Sequence, residues 1–322
     1  MGYGMYSQQA HEAITRQRAG RSQEQVFPHQ RCHPLMSPLG VHLRECRDSE
    51  AHPSSLGIIF ALDVSGSMGR VPHRMATVTL PRFMGATDRA RIRDAQVMFM
   101  AVGHAGGDDA PLQVGQFEST ASLIDQWLTS MFLEGGGAGG NESYELAMYF
   151  VARHVEMDCV SQRGQRGFMF ITGDEPPNPA VSRAQVRRLI GDDIPADIPI
   201  RDMLTELQRT VEPFFLIPSS DTALAIERPW RDLLGDRVIV MGDPDDTADV
   251  AAGLIALLQG TASSLDDLIR RQIQGGMTQQ QATRVGRALL PFAASIGRDG
   301  APEVSNGALS LPVHDAPSGL QR

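Results

Sequence analysis

The feature that most constrains this chain is an apolar run that ends abruptly in a polar segment containing glycine. Residues 58–62 read Ile-Ile-Phe-Ala-Leu, and residues 63–69 read Asp-Val-Ser-Gly-Ser-Met-Gly. An unbroken apolar run is typical of a strand that is buried on both faces, as in a parallel sheet covered by helices. The polar segment would then follow the carboxyl end of that strand, where open α/β sheets bind their ligands.

Three side chains of the polar segment carry oxygen and alternate along the chain, namely Asp63, Ser65 and Ser67. Within one tight loop they can turn toward a common point. Oxygen ligands with few formal charges suit a hard cation such as Mg²⁺. Asp and Ser also favour helix N-termini, so a capping cluster is the alternative interpretation. Because the segment follows a buried strand, we expect a cation site.

Short apolar runs alternate with segments of helical spacing over most of the chain. The predicted strands are 55–63, 95–102, 112–117, 168–172, 213–217 and 237–241. The predicted helices are 71–84, 123–131, 144–157, 179–190, 200–211, 247–258, 265–273 and 277–296, and residues 223–234 separate the last two strands. This order predicts an α/β fold with a doubly wound, mostly parallel six-stranded sheet, one antiparallel edge strand at 112–117, and helices on both faces.

The sequence divides into four parts. Residues 1–54 are polar and are expected to form a partly extended N-terminal extension. Residues 55–262 hold the predicted sheet, and residues 263–297 are expected to add a short helical extension. Residues 298–322 are rich in Gly, Pro and Ser, a composition typical of a disordered tail.

The residues Asp-Val-Ser-Gly-Ser-Met-Gly resemble the metal-ion-dependent adhesion site (MIDAS) of the von Willebrand factor type A (vWA) family. The resemblance covers residues 55–260 and implies a vWA or Rossmann-like sheet. In that family the Asp and both Ser of the first loop, a Thr of a middle loop and an Asp after the fourth strand gather a Mg²⁺ or Mn²⁺ ion. Carried over to this chain, the resemblance implies that Ser65 and Ser67 bind the ion directly. It also implies that Asp63 and Asp174 often act through water.

The middle loop departs from the family pattern because it contains no Thr. Asn141, Glu142 or Ser143 must take its place, and we favour Glu142, followed by Ser143. A carboxylate at this position would add a negative charge. It would hold the cation more tightly and leave it less attractive to a carboxylate of a partner.

The resemblance implies a non-enzymatic, metal-dependent protein-binding module. In the vWA family an Asp or Glu side chain of the partner commonly completes the coordination of the metal. The composition resembles that of bacterial intracellular members, which act as adaptors beside MoxR-type AAA+ ATPases or in kinase/phosphatase signalling and stress systems. This part of the expectation rests on analogy alone.

A metal-dependent hydrolase or phosphotransferase at the same strand ends is the alternative function. It would need a positioned base and a cationic clamp for phosphate. The candidate bases are His73, His104 and His154, and the nearest arginines in sequence are Arg70 and Arg166. The G-x-S-x-G pattern of serine hydrolases is absent. The chain also has no lysine, which excludes a Walker A lysine and a lysine base. An inert scaffold that binds no metal is a third possibility.

A glycine-rich segment precedes the predicted helix at 144–157. Gly135, Gly137 and Gly140 satisfy the pattern G-x-G-x-x-G. A dinucleotide site would need a strand immediately before these glycines, and the preceding residues look helical instead. We therefore expect a loop that approaches the metal site.

Composition bounds the remaining possibilities. The net charge of −9 argues against a protein that binds duplex nucleic acid, which would normally present a basic face. Three cysteines are too few for a disulfide scaffold, and the Cys and His residues between 32 and 46 match no usual zinc pattern. The chain opens without an apolar h-region, and no apolar run approaches 18 residues. We therefore expect a cytoplasmic protein that does not bind membranes.

Overall fold

The structure is a computed structural model, and it describes residues 4–66, 68, 70–90, 92, 94–136 and 141–300. Its strands in chain order are β1 (Arg44–Cys46), β2 (Leu56–Asp63), β3 (Ala95–Val102), β4 (Leu112–Val114), β5 (Val155–Met157), β6 (Gly167–Thr172), β7 (Ala180–Val181), β8 (Ile198–Pro199), β9 (Val211–Ile217) and β10 (Val238–Val240). Its α-helices are α1 (Gln8–Arg18), α2 (Gln23–Val26), α3 (Arg70–Arg74), α4 (Leu80–Arg89), α5 (Ala121–Thr129), α6 (Tyr144–His154), α7 (Asp158–Ser161), α8 (Arg183–Leu189), α9 (Ile200–Leu207), α10 (Ser220–Leu234), α11 (Thr247–Leu258), α12 (Leu265–Gln274) and α13 (Gln279–Ser295).

Six of these strands form the central sheet, in the order β10-β9-β6-β2-β3-β4. Every neighbouring pair is parallel except β3 and β4, which pair antiparallel. All residues of β2 and β3 are buried, as expected for strands that helices cover on both faces. The predicted fold class is confirmed, including its antiparallel edge strand.

The strand order places a topological switch between β2 and β6. From β2 the chain moves to β3 and β4 on one side, and from β6 it moves to β9 and β10 on the other. β2 and β6 pair with Leu62 opposite Thr172, so both strands end at the same edge of the sheet. The crevice outside this edge is the usual ligand position in open α/β sheets.

An aromatic cluster supports the strands that lead to this edge. Phe60 is fully buried, and its ring lies 5.1 Å from that of Phe83 in α4. Its centroid also lies 5.6 Å from Phe99 in β3 and 5.4 Å from Phe170 in β6. Such contacts combine a large buried apolar area with favourable ring geometry. The loops at the carboxyl ends therefore start from closely packed strands.

The helix that follows the polar segment contains one wide turn. α3 continues into a π-helical segment at Met75–Thr79 and then into α4. Pro81 lies in the first turn of α4. The sequence predicts a break or kink at this proline because it lacks an N–H group. The π-helical turn accommodates it, and the helix continues to Arg89.

The predicted helix at 144–157 is wrong at its end. α6 stops at His154, and Val155 adopts extended dihedral angles. β5 then pairs in parallel with β1, which lies more than a hundred residues earlier in the chain. A local helical pattern contains no information about that distant partner.

Both extensions pack against the sheet domain. In the N-terminal extension α1, which the sequence did not predict, contacts α4 and α5, and Arg18 forms a partly buried ion pair with Asp125. In the C-terminal extension α12 and α13 contact α11. The predicted disordered tail falls largely on residues 301–322, which lie outside the described residues. Among the helices that the structure describes, none has both the length and the apolar character needed to cross a membrane.

Candidate metal centre

Three carboxylates from separate parts of the chain converge at the carboxyl edge of the sheet. Asp63 ends β2, Glu142 lies just before α6, and Asp174 follows β6 by two residues. One carboxylate oxygen of each lies within 4.8 Å of the others. Asp63 and Glu142 are buried, and Asp174 is half-buried. Within the described part of the chain, this is the one group of three or more Asp, Glu, His or Cys donors that comes together.

The carboxylate of Asp63 is held from two sides. Its Oδ1 accepts a hydrogen bond from the backbone N–H of Ser65 at 2.8 Å. Its Oδ2 accepts one from the hydroxyl of Tyr144 at 2.6 Å. Tyr144 is fully buried and lies edge-on to Phe215 and Trp230. The orientation of this carboxylate is therefore fixed by a rigid neighbour.

The loop that carries Glu142 is tied to the loop after β6. The side-chain amide of Asn178 donates to the backbone oxygen of Glu142 at 3.2 Å and to Oε2 of Glu145 at 3.0 Å. The same loop is also bound to the residue after β3, because the N–H of Ser143 donates to the backbone oxygen of Gly103 at 2.9 Å. These bonds place Glu142 through its backbone and leave its side chain outside this network.

Trp230 anchors the loop after β6 from the opposite direction. Its indole Nε1 donates to the backbone oxygen of Glu175 at 3.0 Å. The indole also stacks on Phe215, with ring centroids 3.9 Å apart. Asp174, the neighbour of Glu175, is thereby positioned by α10 and β9 together.

Several oxygens at this edge are buried and have no hydrogen-bond partner. They are Oε2 of Glu142, Oδ1 of Asp174 and Oγ1 of Thr172. A buried acceptor without a partner is unfavourable by about 1–3 kcal/mol, and more when it is charged. A bound hard cation would satisfy such oxygens, and carboxylate and hydroxyl oxygens are its preferred ligands. The residues present therefore fit a Mg²⁺ or Mn²⁺ ion.

Burial and mutual repulsion raise the pKa values of Asp63 and Glu142. Burial, with a smaller contribution from Asp174, raises the pKa of Asp63 to about 6, although Ser65 and Tyr144 donate hydrogen bonds to it. Burial raises the pKa of Glu142 to about 8, and the charges of Asp63, Glu175 and Asp174 contribute. Without a cation, the cluster therefore binds protons near neutral pH.

The predicted site residues differ in their positions relative to the converging carboxylates. Asp63, Glu142 and Asp174 are brought together, and Ser65 is buried beside Asp63. Ser67 lies outside the described residues.

The two other candidates for the middle position serve neighbouring loops. Ser143 is buried, and its hydroxyl accepts a hydrogen bond from the N–H of Ala105 at 3.1 Å. Asn141 is half-buried, and its backbone oxygen lies 2.9 Å from Nδ1 of His104. The part that Ser65, Ser143 and Asn141 play in metal binding stays a prediction.

Sequence reasoning missed Tyr144, Asn178 and Thr172. Tyr144 directly follows the candidate segment, but its bond to Asp63 spans 81 residues of chain. Asn178 acts through its amide on Glu142, which lies 36 residues earlier in the chain. Thr172 carried a visible signal, because it is the polar last residue of an otherwise apolar strand.

The glycine-rich segment approaches the loop after β2. The N–H of Gly66 donates to the oxygen of Gly136 at 3.1 Å, and a Cβ on Gly66 would lie 3.2 Å from the oxygen of Gly135. No strand lies between α5 and this segment in the described residues 130–136. A dinucleotide site needs a strand immediately before its first glycine, and none precedes Gly135 in these residues. Gly137 and Gly140 lie outside the described residues.

Comparison with known proteins gives only distant similarity. No protein-family model matches the sequence, and no curated protein matches it. The pilus adhesin SpaC from Lactobacillus rhamnosus GG, in an open conformation, is similar over 70% of this chain and 31% of its own, with 12% identity and a TM-score of 0.42. Proximal thread matrix protein 1 from the mussel byssus is similar over 67% of this chain and 49% of its own, with 11% identity and a TM-score of 0.41. This chain thus spans about a third of the adhesin and about half of the matrix protein. Similarities this distant carry no argument about function, and the vWA relationship stays a prediction from the motif.

Proposed function

We propose that this protein is a non-enzymatic binding module that docks a partner protein on a Mg²⁺ or Mn²⁺ ion. Asp63, Glu142 and Asp174 would hold the ion, together with hydroxyl oxygens of Ser65 and Ser67. The observation that carries the proposal is the convergence of three carboxylates, two of which, Glu142 and Asp174, each have a buried oxygen without a partner. When bound, the ion would supply a positive centre to which an oxygen of the partner can coordinate.

The partner belongs to the same proposal. An Asp or Glu side chain of another protein is the group expected from the motif. An adaptor role in a bacterial signalling, stress or AAA+ ATPase-associated system, with a MoxR-type ATPase or a kinase/phosphatase pair as partner, rests on the family resemblance. The cytoplasmic location also stays a prediction.

A metal-dependent hydrolase or phosphotransferase is the second candidate, and one observation favours it. His104 lies at the same edge as the carboxylates, with Nδ1 2.9 Å from the oxygen of Asn141. Two other candidate groups are engaged elsewhere. His154 pairs with Asp192 at 2.8 Å, and Arg166 pairs with Glu212 beside the amino end of β6. Arg166 therefore lies a full strand length from Asp174 and offers no clamp for phosphate.

Isothermal titration calorimetry of EDTA-treated protein with Mg²⁺ and Mn²⁺ tests the metal site. We expect binding by the natural chain, loss of binding in Asp63→Ala and in Asp174→Asn, and unchanged circular dichroism in both variants. Glu175→Gln is the matched control, because it removes a neighbouring charge outside the converging group. Absence of heat in the natural chain at millimolar metal would refute the site.

Partner capture separates the two candidate functions. A pull-down with Mg²⁺ should recover a partner that is lost in EDTA and in Asp63→Ala. Phosphatase or nucleotidase turnover that disappears in His104→Ala and Asp174→Asn would instead support the enzyme.

A further inference from the structure

The charge of the metal centre is unusual for a surface that docks an acid. Asp63, Glu142 and Asp174 carry three negative charges when a divalent ion displaces their protons, so the loaded centre would have a net charge of −1. Glu175 lies next to Asp174 and adds a further acid at the same edge. A carboxylate from outside would therefore approach a centre of like charge, which disfavours its binding.

Glu142 differs from Asp63 in how its side chain is held. Asp63 receives hydrogen bonds on both oxygens, from Ser65 and Tyr144. Glu142 is 3% exposed, and its Oε2 has no hydrogen-bond partner. Asn178 fixes only the backbone oxygen of Glu142. The Glu142 side chain can therefore swing away from the ion at a smaller loss of protein hydrogen bonds.

We propose that Glu142 is a resident ligand that takes the coordination position an outside carboxylate would use, and that a partner acid binds by displacing it. The inference rests on the proposed metal-binding function. Glu142 then determines specificity in two ways: it raises affinity for the ion, and it lowers affinity for a carboxylate. Only a partner that contributes further contacts around the edge would displace it.

The effect of acetate on the Kd for Mn²⁺ tests the proposal. Acetate is the probe for an outside carboxylate, with chloride at equal ionic strength as the reference. In the natural chain we expect acetate to leave the Kd for Mn²⁺ unchanged within about twofold. In Glu142→Gln we expect weaker Mn²⁺ binding by about tenfold in chloride, and at least about fivefold tightening by acetate. Glu175→Gln removes a negative charge at the same edge but none of the three converging carboxylates, so it should change Mn²⁺ binding and the acetate effect far less than Glu142→Gln does.

The relaxation of water protons around bound Mn²⁺ gives a second readout. Acetate should displace Mn²⁺-bound water in Glu142→Gln and should not do so in the natural chain. Glu142→Thr, which replaces the carboxylate by a hydroxyl, should reproduce the acetate effect.

The outcomes separate the inference from the proposed function. If acetate tightens Mn²⁺ binding in the natural chain by about fivefold or more, the inference is overturned while the metal site stands. That result is decisive even if neither variant folds, because it needs the natural chain alone. If the natural chain binds no Mn²⁺ by calorimetry or relaxation, the proposed function falls and the inference falls with it.

Discussion

Metal binding by this protein should depend steeply on pH. Burial and neighbouring charges raise the pKa of Glu142 to about 8 and that of Asp63 to about 6. At pH 7 Glu142 would be about nine-tenths protonated and Asp63 about one-tenth protonated, so cation binding should release about one proton. The affinity for Mg²⁺ should therefore rise about tenfold per pH unit between pH 6 and pH 8 and level off above pH 8.

Calorimetry at pH 7 in two buffers with different ionisation enthalpies measures this proton release. The observed enthalpy should differ between the buffers by about one proton's ionisation enthalpy in the natural chain. In Glu142→Gln the difference should nearly vanish, because Asp63 is already mostly ionised at pH 7. Equal heats in both buffers, together with an affinity that is flat from pH 6 to pH 8, would refute the reasoning.

The same pKa shift has a consequence for folding stability in the absence of metal. The ordinary pKa of a Glu side chain is 4.5, and in the folded chain that of Glu142 is raised to about 8. The folded state therefore binds the proton more tightly than the unfolded state does. Its stabilising contribution is complete below the ordinary pKa and is lost as the pH rises through about 8. Saturating Mg²⁺ should compensate for that loss, because the ion binds only the folded state.

Three further predictions concern single side chains. Tyr144→Phe removes the hydroxyl that donates to Asp63, and should weaken Mg²⁺ binding at pH 6 by about threefold to tenfold in calorimetry; unchanged affinity would contradict this role. Asn178→Ala removes the hydrogen bond to the backbone oxygen of Glu142, and should weaken Mg²⁺ binding by about threefold to tenfold. The midpoint of thermal unfolding serves as the control for general damage to the fold. Phe60→Ala opens a cavity among three aromatic rings, and should lower the free energy of unfolding by about 3–5 kcal/mol in urea; a loss below about 1 kcal/mol would show that the core collapses around the gap.

The parts of the fold that the sequence predicts are those in which the local pattern and the buried position agree. β2 and β6 contain the apolar runs 58–62 and 168–171, and an acid stands close behind each run. The meeting of Asp63 and Asp174 at one edge therefore follows from parallel pairing. The candidate position of Glu142 also came from local sequence, because a glycine-rich loop leads into α6.

The features that could not be predicted depend on distant partners. β5 has extended geometry because β1 pairs with it, and nothing near Val155 specifies that strand. The bonds from Tyr144 and Asn178 to the acids depend on which helix and loop the fold brings together. Helix α1 escaped prediction because its residues are mostly polar, and its position depends on the ion pair of Arg18 with Asp125 and on packing.

The fluorescence of Trp230 can report on the candidate metal centre. Its indole touches both acid-bearing regions: Nε1 donates to the oxygen of Glu175, and its ring lies against Tyr144, whose hydroxyl donates to Asp63. The chain has only two tryptophans, and the second, Trp127, lies in α5. In a Trp127→Phe background, the emission of a single fluorophore would follow cation occupancy in real time. Exchange of ions and partners at this edge could then be timed without an attached label.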